Sequence, residues 1–151
     1  MLKIKLASVM ISVVMLLASP AFAVDQWIEK TSSHDVNKTT DRLVAAIKGA
    51  GATLFTVIDH QAGAEKAGLK MNAAKVVIFG NPKLGTPIMN ANPKAALDLP
   101  IKVLIWENNG EVKLGALTPD AFSSRYDLEG VEPQLKTMNG ALNKLMSKAA
   151  E

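Results

Sequence analysis

The dipeptide Asn-Gly at positions 109–110 restricts the fold of this chain more than any other short stretch. It separates two runs rich in apolar and β-branched residues, 101–107 and 111–117. Asn-Gly favours the type I′ turn, which joins two antiparallel strands through a two-residue loop. Such a loop fixes the register and places Ile105 opposite Leu114. The sequence therefore predicts a β-hairpin, and with it a sheet that is antiparallel at least in part.

The two faces of this hairpin differ in polarity, because side chains alternate between the faces of a strand. One face is apolar and consists of Ile101, Val103, Ile105, Val112 and Leu114. The opposite face is only half polar and carries Lys102, Leu104, Trp106, Lys113 and Leu117. We expect the first face to pack on the core, and another element, a ligand or a second protomer to cover part of the other.

Two amphipathic helices flank the strands. Asp35 is the predicted N-cap of a helix that ends near Gly49. The last helix is predicted from about Pro133 to the C-terminus, with an apolar stripe of Leu135, Met138, Leu142 and Leu145. Further strands are predicted at Gln26–Ser32, Thr53–Asp59 and Lys75–Gly80, and a short helix at Ala62–Leu69. This order predicts an α+β fold, a two-layer sandwich with the two main helices on one face of a largely antiparallel sheet.

The N-terminus has the three parts of a bacterial export signal. Lys3 and Lys5 precede an apolar run over residues 6–18, and Ala-Phe-Ala follows at 21–23. The run is short for a membrane span, so we expect cleavage after residue 23 rather than an uncleaved anchor. The mature chain is then one domain, residues 24–151, in the periplasm or secreted, with no membrane association after cleavage. Removing the two lysines leaves 15 basic and 14 acidic residues, which lowers the formal charge from +3 to +1.

Composition excludes several classes of function. The chain has no cysteine, which excludes a disulfide framework, a thiolate metal site and a cysteine nucleophile. Only 5% of its residues are aromatic, and the mature charge is nearly neutral, so no nucleic-acid partner is expected. The two histidines, His34 and His60, lie 26 positions apart and match no compact zinc spacing. The sequence therefore predicts no metal site.

The segment 81–100 is a long connection with four prolines. Thr86-Pro87 and Asn92-Pro93 each have the form of an N-cap followed by proline at the first helical position. Two short helical turns in series are predicted. Connections of this length are commonly functional or act as lids. The alternative is structural, with the segment covering the half-apolar face around Leu104 and Trp106.

His60 is the side chain best suited to proton transfer near neutral pH. It follows Asp59 at the predicted end of a strand. The alternative is a histidine that only forms hydrogen bonds in a loop. His34, in the tripeptide Ser-His-Asp, is adequately explained by helix capping.

Three stretches taken together resemble the domain-of-unknown-function 302 family (DUF 302), over roughly residues 31–148. They are TVIDH at 56–60 with Ala64 and Gly68-Leu69, FGNP at 79–82 leading to GTP at 85–87, and ALDLP at 96–100 followed by KVLIWE at 102–107. The resemblance implies one TBP-like α+β domain of β-α-β(4)-α type, often exported, with no established activity. The recurring positions of the family correspond to Asp59, His60, Phe79, Asn81, Pro82, Thr86, Asp98 and Pro100.

The resemblance directs attention to a candidate site. We expect His60 to face the segment 81–100 and to form a pocket with Asn81, Thr86 and Asp98, with Asp59 and Trp106 as further ligand-binding candidates. The preferred function is a small exported binding or accessory module, with a small-molecule ligand or a second copy of the chain in a homodimer as the candidate partners. One alternative is an enzyme that uses His60 as general acid and base, and another is metal or haem binding. The sequence identifies no cofactor.

Overall fold

A computed structural model describes residues 26–151, so the predicted export signal at residues 1–23 lies outside the described part. The strands are β1 Trp27–Ser32, β2 Thr53–Asp59, β3 Ala74–Gly80, β4 Ile101–Asn108 and β5 Glu111–Leu117. The helices are α1 Val36–Gly49, α2 His60–Lys66, α3 Pro82–Ala91, α4 Pro119–Tyr126 and α5 Glu132–Ala150, with a 3₁₀ turn at Pro93–Leu97. The predicted α+β class is confirmed.

The five strands form one antiparallel sheet in the order β1-β5-β4-β3-β2. The β4–β5 hairpin has the predicted register, with Ile105 opposite Leu114. Asn109 and Gly110 have φ values of 52° and 83°. A type I′ turn requires positive φ at both positions, which asparagine and glycine tolerate.

The core lies between one face of the sheet and the helices α1 and α5. The apolar hairpin face points into it, and Val103, Ile105 and Leu114 are fully buried. The predicted stripe of α5 packs there together with Leu43 and Ile47 of α1. Asp35 is the N-cap of α1 as predicted, since its carboxylate accepts a hydrogen bond of 2.8 Å from the Lys38 N–H.

Hydrogen bonds join the residues that follow β1 to the C-terminal end of α5. The N–H of Ser33 donates to the carbonyl of Ala150 over 2.9 Å. The Arg42 guanidinium reaches the carbonyls of Lys148 and Ala149 at the end of α5. These bonds satisfy carbonyls that a helix C-terminus leaves without intrahelical partners.

The segment 81–100 contains a longer helix than predicted. Asn81, not Thr86, is the N-cap of α3, because its side chain accepts a hydrogen bond of 2.9 Å from the Lys83 N–H. Pro82 takes the first helical position and Pro87 lies inside the helix. The prediction of a cap at Thr86 is therefore wrong. The cap at Asn92 is confirmed, with a hydrogen bond of 3.1 Å from the Lys94 N–H.

The half-apolar sheet face is not covered by this segment. The main contacts of α3 are with α5 and the 3₁₀ turn, and only the end of the segment, at Asp98, reaches the margin of that face. The structural role predicted for the segment is therefore wrong for most of its length. Trp27 of β1 lies over part of the face instead, with its ring centroid 6.3 Å from that of Trp106.

The helix α4 was not predicted. It begins with Thr118 as N-cap and Pro119 at the first helical position, the same pattern that begins the 3₁₀ turn. Its Phe122 and Tyr126 are buried and extend the core beyond the sheet. The short helix α2 begins at His60, directly after its N-cap Asp59, two residues earlier than predicted.

Candidate functional site

An apolar cavity of about 240 Å³ lies at one end of the sheet. β2 begins there, β3 ends there and β4 begins there, while α3 and α5 form the remaining walls. Its apolar side chains come from all of these elements and include Phe55, Phe79, Leu84, Met89, Leu99, Ile101, Met138, Leu142 and Leu145. The stripe of α5 therefore serves both the core and a wall of this cavity.

Among residues 26–151 no charged side chain lines the cavity, and the only polar side chains in its wall are those of Asn81 and Thr86. Both were predicted as ligand-binding candidates, and the structure places them on the same helix. Gly80 allows β3 to lie close to Pro100 in the cavity wall, since a Cβ atom built on Gly80 would lie 3.4 Å from Cβ of Pro100. The arrangement suits an apolar molecule with a small polar group.

Asp59 and His60 lie at the opposite end of the sheet from this cavity. Asp59 is paired with Lys75 and Thr53 with Gly80, so most of strand β3 separates His60 from Asn81. At about 3.3 Å per residue the separation is roughly 17 Å, beyond direct contact or a bridging water. The predicted pocket that joins His60 to Asn81, Thr86 and Asp98 is therefore wrong. In an antiparallel pair, the residues that follow two successive strands lie at opposite ends of the sheet.

The carboxylate of Asp59 has a structural role. It accepts a hydrogen bond of 2.9 Å from the Ala62 N–H and lies 3.0 Å from Nζ of Lys75. These contacts, the backbone hydrogen bond first, lower the pKa of Asp59 from its ordinary value. His60 is exposed at the start of α2, and its side chain has no hydrogen-bond partner in the described residues.

Asp98 connects the segment 81–100 to α4. Its carboxylate accepts hydrogen bonds from the hydroxyl of Tyr126, over 2.6 Å, and from the Arg125 guanidinium. Partial burial raises the pKa of Asp98, but the hydrogen bonds from Tyr126 and Arg125 outweigh it and leave the pKa below its ordinary value. The same bond to Asp98 raises the pKa of Tyr126.

A second groove, of about 220 Å³, follows the half-apolar sheet face beside Asp98. Its apolar walls come from β1, β3, β4, β5 and α4, and include Trp27, Val76, Leu104, Leu117 and Phe122. Trp106 contacts Trp27 next to this groove. The predicted site residues thus divide into three places: Asn81 and Thr86 in the cavity, Asp98 and Trp106 near the groove, and Asp59 and His60 at the far sheet end.

Replacing Asp98 by asparagine is expected to lower the free energy of unfolding near pH 7 by about 1–2 kcal/mol, because two charge-assisted hydrogen bonds are weakened. The folded pKa of Asp98 lies below its unfolded value of about 3.9. Its contribution is therefore complete above that value and is lost as the pH falls through the folded pKa. Urea unfolding near neutral pH and in strong acid measures this, and a difference between variant and wild type that persists in acid contradicts it.

Within residues 26–151 no group of three or more histidine, aspartate or glutamate side chains is arranged to hold a metal ion. No helix in the same range is both long and apolar enough to span a membrane. The buried Nε2 atom of His34 has no hydrogen-bond partner in the part of the chain that the structure describes.

An antiparallel sheet with two main helices over one face, and an apolar cavity at one end, defines a small α+β domain. A sequence model of the domain of unknown function DUF302 matches residues 28–148. The chain belongs to this family, and the resemblance seen in the sequence is confirmed.

The chain is similar to part of several longer proteins. It is 41% identical over 98 residues to "Fluoride-specific ion channel FluC 1" of Brucella suis and to the protein of the same name in Brucella abortus. "Fluoride-specific ion channel FluC 2" of Brucella melitensis shows the same identity. The matched part is 64% of this chain but only 39% of the first relative and 36% of the other two. The chain thus spans less than two fifths of the curated relatives it matches.

The fold has a solved counterpart. The crystal structure of an uncharacterized conserved DUF302 protein from Bacillus stearothermophilus superposes with a TM-score of 0.76 at 17% identity. The superposition covers 83% of this chain and 99% of the other. At this identity the likeness extends to the fold alone.

Proposed function

We propose that this protein is a small binding module that holds a small apolar molecule in the cavity beneath α3. The observation that carries the proposal is a cavity of about 240 Å³ whose lining side chains are all uncharged and mostly apolar. An apolar protein cavity of about 150 Å³ already holds a benzene molecule. A space of the size found here suits a two-ring aromatic or a short branched hydrocarbon.

The expected affinity is modest. A two-ring hydrocarbon has about ten non-hydrogen atoms, and about 0.5 kcal/mol for each lies within the range observed for small ligands. The resulting Kd is roughly 0.2 mM. A ligand with further contacts at the open side of the cavity would bind more tightly.

The compartment belongs to the same proposal. We propose that the module works outside the cytoplasm, because the three-part signal at the N-terminus is typical of exported bacterial proteins. An apolar carrier or sensor domain in the periplasm needs no cysteine for this task, and the chain contains none. The catalytic alternative at His60 has less support, since Asp59 is engaged by Ala62 and Lys75.

Replacing Ala141 by phenylalanine is expected to weaken naphthalene binding at least tenfold, because Ala141 lines the cavity and the larger ring would occupy it. Isothermal titration calorimetry with naphthalene measures the effect. The matched control is Ala45→Phe on the exposed side of α1, which should bind naphthalene as the wild type does. No measurable binding of any two-ring probe by the wild type would overturn the proposed function.

A second candidate function is an accessory role beside a membrane channel. The observation in its favour is that 98 residues 41% identical to this chain form part of longer proteins named fluoride-specific ion channels. About three fifths of each such protein has no counterpart in the match. We propose that a domain of this kind supports the channel and is not itself the fluoride pathway.

Fluoride efflux from vesicles that hold the Brucella suis protein tests the accessory role. Efflux is expected to fall when the matched 98 residues are deleted, and to recover when residues 24–151 of this chain replace them. The protein level in the vesicle membrane is the control. Unchanged efflux after the deletion, at an equal protein level, contradicts this candidate.

A further inference from the structure

We infer that the cavity selects uncharged molecules that combine an apolar body with one oxygen acceptor, held by the amide of Asn81 and the hydroxyl of Thr86. This inference rests on the proposed binding function and specifies the chemical class of its ligand. It follows from a comparison of the polar groups at the cavity that already form hydrogen bonds within the protein with those that do not.

The side-chain amide of Asn81 has a fixed orientation. Its Oδ1 atom accepts the Lys83 N–H as the cap of α3, so the oxygen and nitrogen of the amide can be told apart. The two N–H groups on Nδ2 have no acceptor among the described residues. Asn81 is half-buried and lines the cavity, so these donors are available to a bound molecule.

Thr86 differs from the other helical threonines of the described chain. The hydroxyls of Thr39, Thr40 and Thr137 each donate to the carbonyl four residues earlier, over 2.7–2.8 Å. A threonine inside a helix commonly bonds in this way. The hydroxyl of Thr86 has no such bond and no other partner among the described residues, although it lies at the cavity. It can therefore donate to, or accept from, a ligand.

The charge of the lining argues against an ionic ligand. No lysine, arginine or histidine lines the cavity, so a buried carboxylate would have no counterion. The C-terminal end of α1, at Ala50, and the N-terminal end of α3, at Asn81, both border the cavity, so their opposite partial charges offset each other there. A cation would likewise lack a carboxylate partner there.

Three probes with the same two-ring body separate these effects: naphthalene, 1-naphthol and 1-naphthoate. By isothermal titration calorimetry, 1-naphthol is expected to bind the wild type about fivefold more tightly than naphthalene, because of its hydrogen bonds. 1-Naphthoate is expected to bind at least tenfold more weakly than 1-naphthol. Equal binding of 1-naphthoate and 1-naphthol would overturn the inference.

Substitutions at Thr86 and Asn81 test whether these two side chains cause the preference for a ligand oxygen. Thr86→Val removes the hydroxyl at constant size, and is expected to reduce the preference for 1-naphthol over naphthalene about threefold. Thr86→Ser should restore the preference. Asn81→Asp keeps an oxygen for the cap but removes both donors, and is expected to weaken 1-methoxynaphthalene, a further probe whose oxygen can only accept, about threefold.

The outcomes distinguish this inference from the proposed function. If naphthalene binds and the preference for 1-naphthol is absent, or is unchanged in Thr86→Val, the inference fails and the binding function stands. If none of the three probes binds, the binding function itself fails. Far-UV circular dichroism and urea unfolding verify that each variant retains the fold.

Discussion

Replacing Leu142 by alanine is expected to lower the free energy of unfolding by about 3 kcal/mol and to raise the affinity for two-ring hydrocarbons. Leu142 is 1% exposed and belongs to both the core and the cavity wall. Removing its side chain costs the transfer free energy of the lost atoms and that of the enlarged cavity. Urea unfolding measures the first effect and calorimetric titration with naphthalene the second.

Leu135→Ala is the matched control for this prediction. Leu135 lies on the same helix and is also buried, but it does not line the cavity. Both variants should lose stability and regain part of it at saturating naphthalene, since a ligand stabilises the state that binds it, and Leu142→Ala should regain more because its enlarged cavity binds naphthalene more tightly. Equal recovery in both variants contradicts the position assigned to the cavity.

Replacing Gly115 by valine is expected to lower the free energy of unfolding by about 2–3 kcal/mol, because it forces the Trp27 ring off the sheet. A Cβ atom built on Gly115 would lie 2.3 Å from Cζ2 of Trp27, closer than any real contact. The Trp27 ring would then lose its contacts with residue 115 and with the ring of Trp106. Urea unfolding measures the loss, and near-ultraviolet circular dichroism reports the separation of the two indoles.

A double-mutant cycle isolates the cause of this loss. With Trp27→Ala as background, the added valine has no ring to displace, and its cost should fall to about 0.5 kcal/mol or less. A valine is otherwise well accepted in a strand. The same cost in both backgrounds would mean that the Trp27 ring is not what Gly115 accommodates.

Local rules of the sequence predicted the fold well. The positive φ values at Asn109 and Gly110, the cap at Asp35 and the apolar stripe of α5 each depend on residues close in sequence. Where two similar signals competed, the sequence was ambiguous. Thr86-Pro87 and Asn81-Pro82 both have the form of a cap, and the earlier one begins the helix. Thr118-Pro119 has the same form, and it begins α4, a helix that the sequence analysis did not predict.

The candidate site was harder to predict, because it depends on long-range geometry. Asn81 and Thr86 were recognised, but they were grouped with His60, which antiparallel pairing places at the far end of the sheet. The cavity itself has no local signature. Its walls combine single residues from several elements, such as Phe55 of β2, Met89 of α3 and Leu145 of α5. Each of these looks like an ordinary core residue when its own element is considered alone.

The hydrogen bonds that join Ser33 and Arg42 to the end of α5 affect how this domain can be combined with others. They hold the end of α5 against the residues that follow β1, while the beginning of the described chain lies a strand length away, roughly 20 Å at about 3.3 Å per residue. A circular permutant should therefore need a linker that spans this distance across the old ends, with new ends at an exposed turn. The turn at Asn109 and Gly110 is exposed and lies away from the cavity, so a permutant opened there should retain the cavity walls.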